Sequence, residues 1–270
     1  MTELVVRQLL IDLQAPIPRH WNGGDAFRTA FFDALSMSFP VGEQFFIDSV
    51  RAGLRALPEP QQALFEGEVR GFIGQEATHR RIHALYNGHL ARQGLVNRWE
   101  ARALKRIRAL DGVDLRNRVG VTAATEHFTA IFAEHLLARE ALLAGAEPRL
   151  ATLWRWHSAE ETEHRATAFD LYRALGGNEY WRLRIFRIVT MNFILDALRQ
   201  TLLNLWRDGS WWRPSTWAGG ARLLFGRDGL VRCLRAPWRR YLAPDFHPSQ
   251  QDDGPARAWL VDNAGQWRPV

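Results

Sequence analysis

The chain has 270 residues, 47% of them hydrophobic, a net charge of +6 and one cysteine, Cys233. That length and apolar content suffice for one sizeable core, and a single cysteine excludes an internal disulfide framework and any Cys-x-x-Cys metal site. Lys105 is the only lysine, so the positive charge is carried by arginine. Such basicity suits anionic headgroups, phosphates or acidic partners, and it is also what a GC-rich coding sequence writes.

Residues 1–24 read as an irregular segment, with Pro16, Pro18 and the Gly23-Gly24 pair. "MTELVVRQLLIDLQAP" has early acidic residues and no long apolar core, so no signal peptide is expected. A helical pattern runs from Asp25 to Ala56, with Pro40 as a potential kink, and breaks at "LPEP", 57–60. A second helix is expected from Gln61 to Gln93, then a short charged one ending at Asp111-Gly112. A third runs from Asn117 to Leu143 and breaks at "GAEP", 145–148. A fourth runs from Arg149 to Leu175 and stops at Gly176-Gly177. Strand signals are weak throughout.

The fold expected is therefore all-α: a four-helix bundle over 25–177, made of hairpins 25–93 and 117–175 joined by one long crossover. Residues 178–270 form a C-terminal extension with eight of the twelve Trp and a further helix at 180–208. Its most apolar stretch, 188–206, is interrupted by Asp196, Arg199 and Gln200 and falls short of a spanning helix. A cytoplasmic protein is expected, with peripheral contact at the inner membrane surface as an alternative.

The second helix carries Glu76-Ala-Thr-His79 and the fourth carries Glu161-Thr-Glu-His164. Residues three and four apart share one helix face, so each pair projects to one side. The first helix adds Glu43 in "FPVGEQFFIDSV" and the third adds Glu126 in "AATEHFTAIF". One glutamate on each of two helices plus Glu-x-x-His on the other two is the ligand order of ferritin-like di-metal bundles. The register fits: the midpoint of Glu43 and Glu76 falls at Glu59/Pro60, and that of Glu126 and Glu161 at Leu143/Ala144, at or beside the two breaks. Carboxylates supply hard, bridging oxygens and imidazole a borderline nitrogen, a mixture suited to iron(II) or manganese about 3.5–4 Å apart. Four buried glutamates without cations would repel one another. Two metal ions per chain are expected, iron first, with manganese or zinc as alternatives.

His83 and His157 stand one turn from the proposed ligands, as additional ligands, as donors that orient ligands, or as core histidines. Glu160 and Glu163 lack the spacing to His164 and are expected either to face solvent or to stand behind the ligands as their supports. His127 reads as structural, and Gln44 and Gln75 as hydrogen-bonding neighbours.

The blocks "PRHWNGGDAFRTAFFDALSMSFPVGEQFFIDSVR" and "VRGFIGQEATHRRIHALYN" resemble the bacterial family of predicted metal-dependent hydrolases, placed near the ferritin-like superfamily. "ATEHFTA", "WRWHSAEETEHRATAFDLY" and "YLAPDFHP" agree with it, and the resemblance covers most of residues 15–250. It implies a di-metal site of Glu43, Glu76, His79, Glu126, Glu161 and His164, with His83 close by.

The leading functional expectation is an O2-activating oxidoreductase (hydroxylase, desaturase or oxygenase) acting on an apolar, acyl-like small molecule. Phe39, Phe45, Phe46, Phe128 and Phe132 would line its channel or simply form core. No nucleotide-binding glycine loop is present, so electrons would come from a partner protein or the substrate, and no nucleic-acid partner is expected. A hydrolase using a metal-bridged water is the alternative, and a non-enzymatic metal-binding or iron-storage bundle a third reading. The Arg- and Trp-rich extension suits a membrane interface; otherwise it packs on the bundle or forms a homodimer contact.

Overall fold

The computed structural model describes residues 4–270. Among them the chain is all-α, apart from one two-stranded sheet. Helix α1 (Ala26–Ala56) starts at Asp25, whose side chain accepts from Arg28 N, and α2 (Glu59–Arg92) follows a two-residue turn. The crossover holds α3 (Trp99–Arg108). Helix α4 (Leu115–Ala138) is capped by Asp114 and α5 (Pro148–His164) by Glu147. Then come α6 (Thr167–Ala174), α7 (Glu179–Asp208), α8 (Pro214–Phe225), α9 (Leu230–Arg240) and α10 (Gly254–Asp262). Helix α1 packs on α2 and α4, and α5 packs on α4 and α2, which closes the bundle; α7 lies across α1 and α4. Among the described residues no helix is long and apolar enough to cross a membrane.

Three local features depart from the sequence expectation. The third helix stops at Ala138, and a 3-10 turn covers Glu140–Leu143. The fourth is not continuous: it breaks at Arg165-Ala166, although neither glycine nor proline stands there. Arg165 Nη1 donates to Thr162 O at 2.6 Å, and its other nitrogens reach Pro248 O and Gln251 O. A guanidinium thus takes a carbonyl at the helix end and ties the break to the C-terminal segment. The segment read as irregular contains strand β1 (Arg7–Leu9), paired antiparallel with β2 (Trp267–Pro269) at the far end of the sequence. Three residues are too few to show a two-residue period.

Pro40 sits inside α1 without ending it. A mid-helix proline cannot donate to the carbonyl four residues back. Here Asn87 Nδ2 donates to that carbonyl, Ser36 O, at 3.0 Å, and Asn97 Nδ2 donates to Met37 O at 2.7 Å.

Two apolar clusters fill the bundle. One gathers Phe32, Met37, Tyr86, Leu90, Leu136, Leu150 and Trp154, and the other Phe46, Val50, Phe72, Val119, Ala123 and Leu171. Along α1, α2, α4 and the α5–α6 pair, the residues between these clusters are 38–44, 73–85, 125–135 and 157–167. The helices thus hold one polar layer between two hydrophobic ones.

Candidate metal centre

That layer contains Glu43 from α1, Glu76, His79 and His83 from α2, Glu126 from α4, and His157, Glu161 and His164 from α5. All are buried. The six residues of the four-helix pattern meet there, and His157 joins them. His157, Glu161 and His164 are four and three residues apart, so α5 presents them as one stripe.

The donor atoms form two groups, each with its atoms within 4.8 Å of one another: Glu43, His79 and His157, and Glu76, Glu126, Glu161 and His164. His164 Nε2 stands 3.1 Å from Glu76 Oε1, 3.2 Å from Glu126 Oε2 and 3.7 Å from Glu161 Oε1. Glu161 Oε1 is also 2.8 Å from His157 Nε2 and 3.5 Å from His79 Nδ1. This one carboxylate oxygen therefore lies between the two groups. His157 Nε2 lies 3.9 Å from Glu43 Oε1.

Each histidine is held from behind by its other nitrogen. His79 Nε2 bonds Glu160 Oε2 at 2.9 Å, His164 Nδ1 bonds Gln75 Oε1 at 2.9 Å, and His157 Nδ1 bonds His83 Nε2 at 2.7 Å. These contacts leave His79 Nδ1, His164 Nε2 and His157 Nε2 facing the cluster, the arrangement in which an outer partner fixes tautomer and ring orientation. His83 therefore sits outside both groups, anchored in turn by Ser36 Oγ at 2.8 Å.

A further layer stands behind the ligands, and Arg7 is the member of it that sequence reasoning missed. Of the two positions expected for Glu160 and Glu163, the structure gives the one behind the ligands: Glu160 is wholly buried and Glu163 half-buried. Arg7 Nη1 donates to Glu160 Oε1 at 3.1 Å and to Glu163 Oε2 at 2.6 Å. Glu163 Oε2 also accepts from Gln75 Nε2 at 2.8 Å. One guanidinium on β1 thus braces the supports of both His79 and His164. No local signal in the sequence marks it, because its partners lie in α5. His127, by contrast, packs against Phe186, Tyr241 and Phe246 and reaches Pro237 O at 3.2 Å, outside both donor groups.

The electrostatics describe an excess of carboxylate. Burial pushes Glu43 well above its usual range, with Glu76 adding to it, and burial also raises Glu76. Burial, aided by the Glu161 charge, takes Glu126 up to about 8. Glu161 goes the other way: burial opposes its charge, but contacts with His157 and His164 hold it well below. Burial disfavours the His79 imidazolium too, yet Glu160 and Glu161 raise it to about 10. Burial and the neighbouring His79 lower His157 to about 4.

Hydrogen bonding leaves these groups unsatisfied. Both oxygens of Glu43, Glu76 and Glu126, Glu161 Oε2, His79 Nδ1 and His164 Nε2 are buried without a hydrogen-bond partner. A buried unpaired carboxylate costs several kcal/mol unless a cation compensates it. Unpartnered oxygen and imidazole donors converging on two points are what metal ions require, and the residues fit such a group.

The sequence model of the family described as predicted metal-dependent hydrolase matches residues 5–252. The chain belongs to that family. The match takes in every residue of the cluster and Arg7 behind it. No curated protein and no solved structure matches the chain.

Proposed function

We propose that the cluster is a di-metal carboxylate centre of the ferritin-like kind, and that the protein is an O2-dependent oxidoreductase for an apolar substrate. Glu43, His79 and His157 would hold one ion, Glu76, Glu126 and His164 the other, with Glu161 between them. Four carboxylates balance the charge of two divalent cations, and Glu160 and Glu163 share the one guanidinium of Arg7. Two iron ions in this donor set would supply a redox centre able to reduce O2, with electrons from a partner protein or the substrate.

The observation that carries the reading is a cavity of about 90 Å³ that ends on His157 and Glu161. Its walls are Phe31, Leu35, Phe39, Phe128, Phe132 and Phe193, with Leu230 and Leu234 from α9; Thr129, Ser158 and the Trp154 indole are its other polar contributors. Such walls exclude water and present a short apolar segment of a substrate to the carboxylate face. They offer little to position the polar group of an ester or amide. Phe39 stands 4.7 Å from the His157 ring and fixes the inner end of the cavity.

A hydrolytic reading is favoured by the family description. In that case the metals would lower the pKa of a bound water.

Metal analysis of protein purified from iron-supplied cells, followed by anaerobic reduction and exposure to O2 under a visible spectrometer, tests both. About two irons per chain and an O2-dependent absorption support oxidation. Zinc or manganese with no O2 response moves the assignment to hydrolysis. A protein that retains no metal defeats both.

A further inference from the structure

Helix α7 buries polar groups alongside its core residues Ile185, Phe186, Ala197 and Leu205. Its inner face carries Arg182, Asp196, Gln200 and Asn204, all buried and all specifically paired. Arg182 donates to Tyr241 O and Ala243 O; Asp196 receives Arg102 and Arg106; Gln200 Oε1 accepts from the backbone N of Arg98 and Trp99; and Asn204 Nδ2 donates to Ala30 O. These bonds fix the rotation of the helix. Its outer face then shows Ile188, Met191, Ile194, Leu195, Leu198 and Trp206, each between 39% and 60% exposed. Ile188, Met191, the Ile194-Leu195 pair and Leu198 follow one another at three or four residues and Trp206 lies about two turns further on, so the stripe follows one side of the helix for about 27 Å. An ordinary surface helix shows water its polar side; a contiguous apolar face marks a partner or a membrane.

The charge around the stripe selects the occupant. Arg187 and Arg199 flank it on α7, and Arg232 and Arg235 are exposed on α9. None of these four is ion-paired among the described residues, and α9 contains no acidic residue. Helix α9 packs on α4 and α8 and touches α7 at Trp238, whose Nε1 donates to Thr190 Oγ1 at 3.1 Å and whose ring stacks on Phe186 at 5.5 Å. An apolar stripe bordered by arginine and unpaired by acid complements an anionic bilayer surface. A second copy of this chain would bring arginine against arginine.

We infer that α7 and α9 form a docking surface for an anionic lipid membrane. The cavity gives the surface a purpose: Phe193 of α7 and Leu230 and Leu234 of α9 line it on this side. A lipid-derived acyl chain would pass between the two helices to Glu161 and His157. That delivery route rests on the oxidoreductase reading above; the docking itself does not.

The test uses the full-length, metal-loaded protein with phosphatidylcholine vesicles, with and without phosphatidylglycerol, floated on a density gradient. We expect flotation with the anionic vesicles, and about tenfold less with phosphatidylcholine alone or after Arg232→Glu with Arg235→Glu. Ile194→Glu with Leu198→Glu should abolish flotation while leaving the metal content unchanged. No flotation with either lipid overturns the inference. So does a dimer, seen by light scattering, that ignores vesicles and is split by the Ile194→Glu/Leu198→Glu pair. Flotation without O2-dependent metal chemistry upholds the surface and sinks the oxidoreductase reading; O2 chemistry without flotation does the reverse.

Discussion

Glu160 Oε2 accepts a hydrogen bond from His79 Nε2 at 2.9 Å, with both side chains wholly buried. Glu160 is itself braced by Arg7, so the first strand of the chain reaches the back of the cluster. Outer partners of this kind commonly contribute about 10–100-fold to metal affinity. Arg7→Met should therefore weaken metal binding by about that factor while the helical circular dichroism is retained. Competition against a chromophoric chelator measures it. Unchanged affinity would mean that Arg7 only pins β1 in place.

Removing a proposed ligand should have a larger effect. Glu126→Ala and His164→Ala should empty or cripple the site yet preserve the helices, because two independent apolar clusters flank the polar layer. Stability without metal should hold or rise in Glu126→Ala, since a buried carboxylate without a hydrogen-bond partner is lost. Metal content and thermal unfolding, measured with and without chelator, check both halves. Full occupancy in both variants would remove these two residues from the ligand set.

The legible part of this molecule lies in residues that repeat with the helical period. Glu43, Glu76, His79, Glu126, Glu161 and His164 could be read as one set because each helix carries one item and each sits at a matching distance from its turn. His157 was visible as part of the His157-x-x-x-Glu161-x-x-His164 stripe, but a histidine one turn from a glutamate is equally compatible with a core hydrogen bond. Glu160 and Glu163 could be read as supports or as solvent-facing groups, but Arg7 was not legible as their brace: its relation to them joins β1 to α5, and no local period encodes it. The break at Arg165 was hidden for the same reason, since the carbonyls that hold its guanidinium come partly from residues 248 and 251.

Asp33 gives a pH prediction away from the metal cluster. It is fully buried and accepts from Tyr86 Oη and from Trp21 Nε1 at 2.9 Å. Burial pushes its carboxyl up to about 7, against the lowering influence of these two donors. A folded-state value above the unfolded one favours the protonated form on folding. The resulting stability is fully present below the unfolded value of 3.8 and is lost as pH rises through about 7. Asp33→Asn should remove that dependence and stabilise the protein at pH 8 by on the order of a few kcal/mol. Chemical denaturation of both proteins across this pH range decides it. Parallel profiles would show that Asp33 is not the group responsible.

The cavity makes its own demand on the apolar-substrate reading. Leu234 is only partly buried on α9, so Leu234→Trp can plug the cavity at modest packing cost. Metal content should stay at the wild-type level, while binding of a fatty-acyl probe falls about tenfold or more. Titration with a fluorescent acyl ligand reads the loss directly. Equal affinity in the two proteins would place the substrate elsewhere and leave the cavity as a packing defect.

His157 and His83 separate a proposed ligand from its support. His157 Nε2 faces Glu43 and Glu161, whereas His83 reaches the cluster only through His157 Nδ1. His157→Ala should cost one of two ions per chain, because Glu43 and His79 alone are a poor site. His83→Ala should keep both ions and weaken only the first, by about 10–100-fold. His83→Gln, which can restore a hydrogen bond to His157 Nδ1, should recover most of that loss. Stepwise metal titration followed by calorimetry distinguishes a lost site from a weakened one. If His83→Ala loses an ion outright and His157→Ala does not, the two roles are reversed.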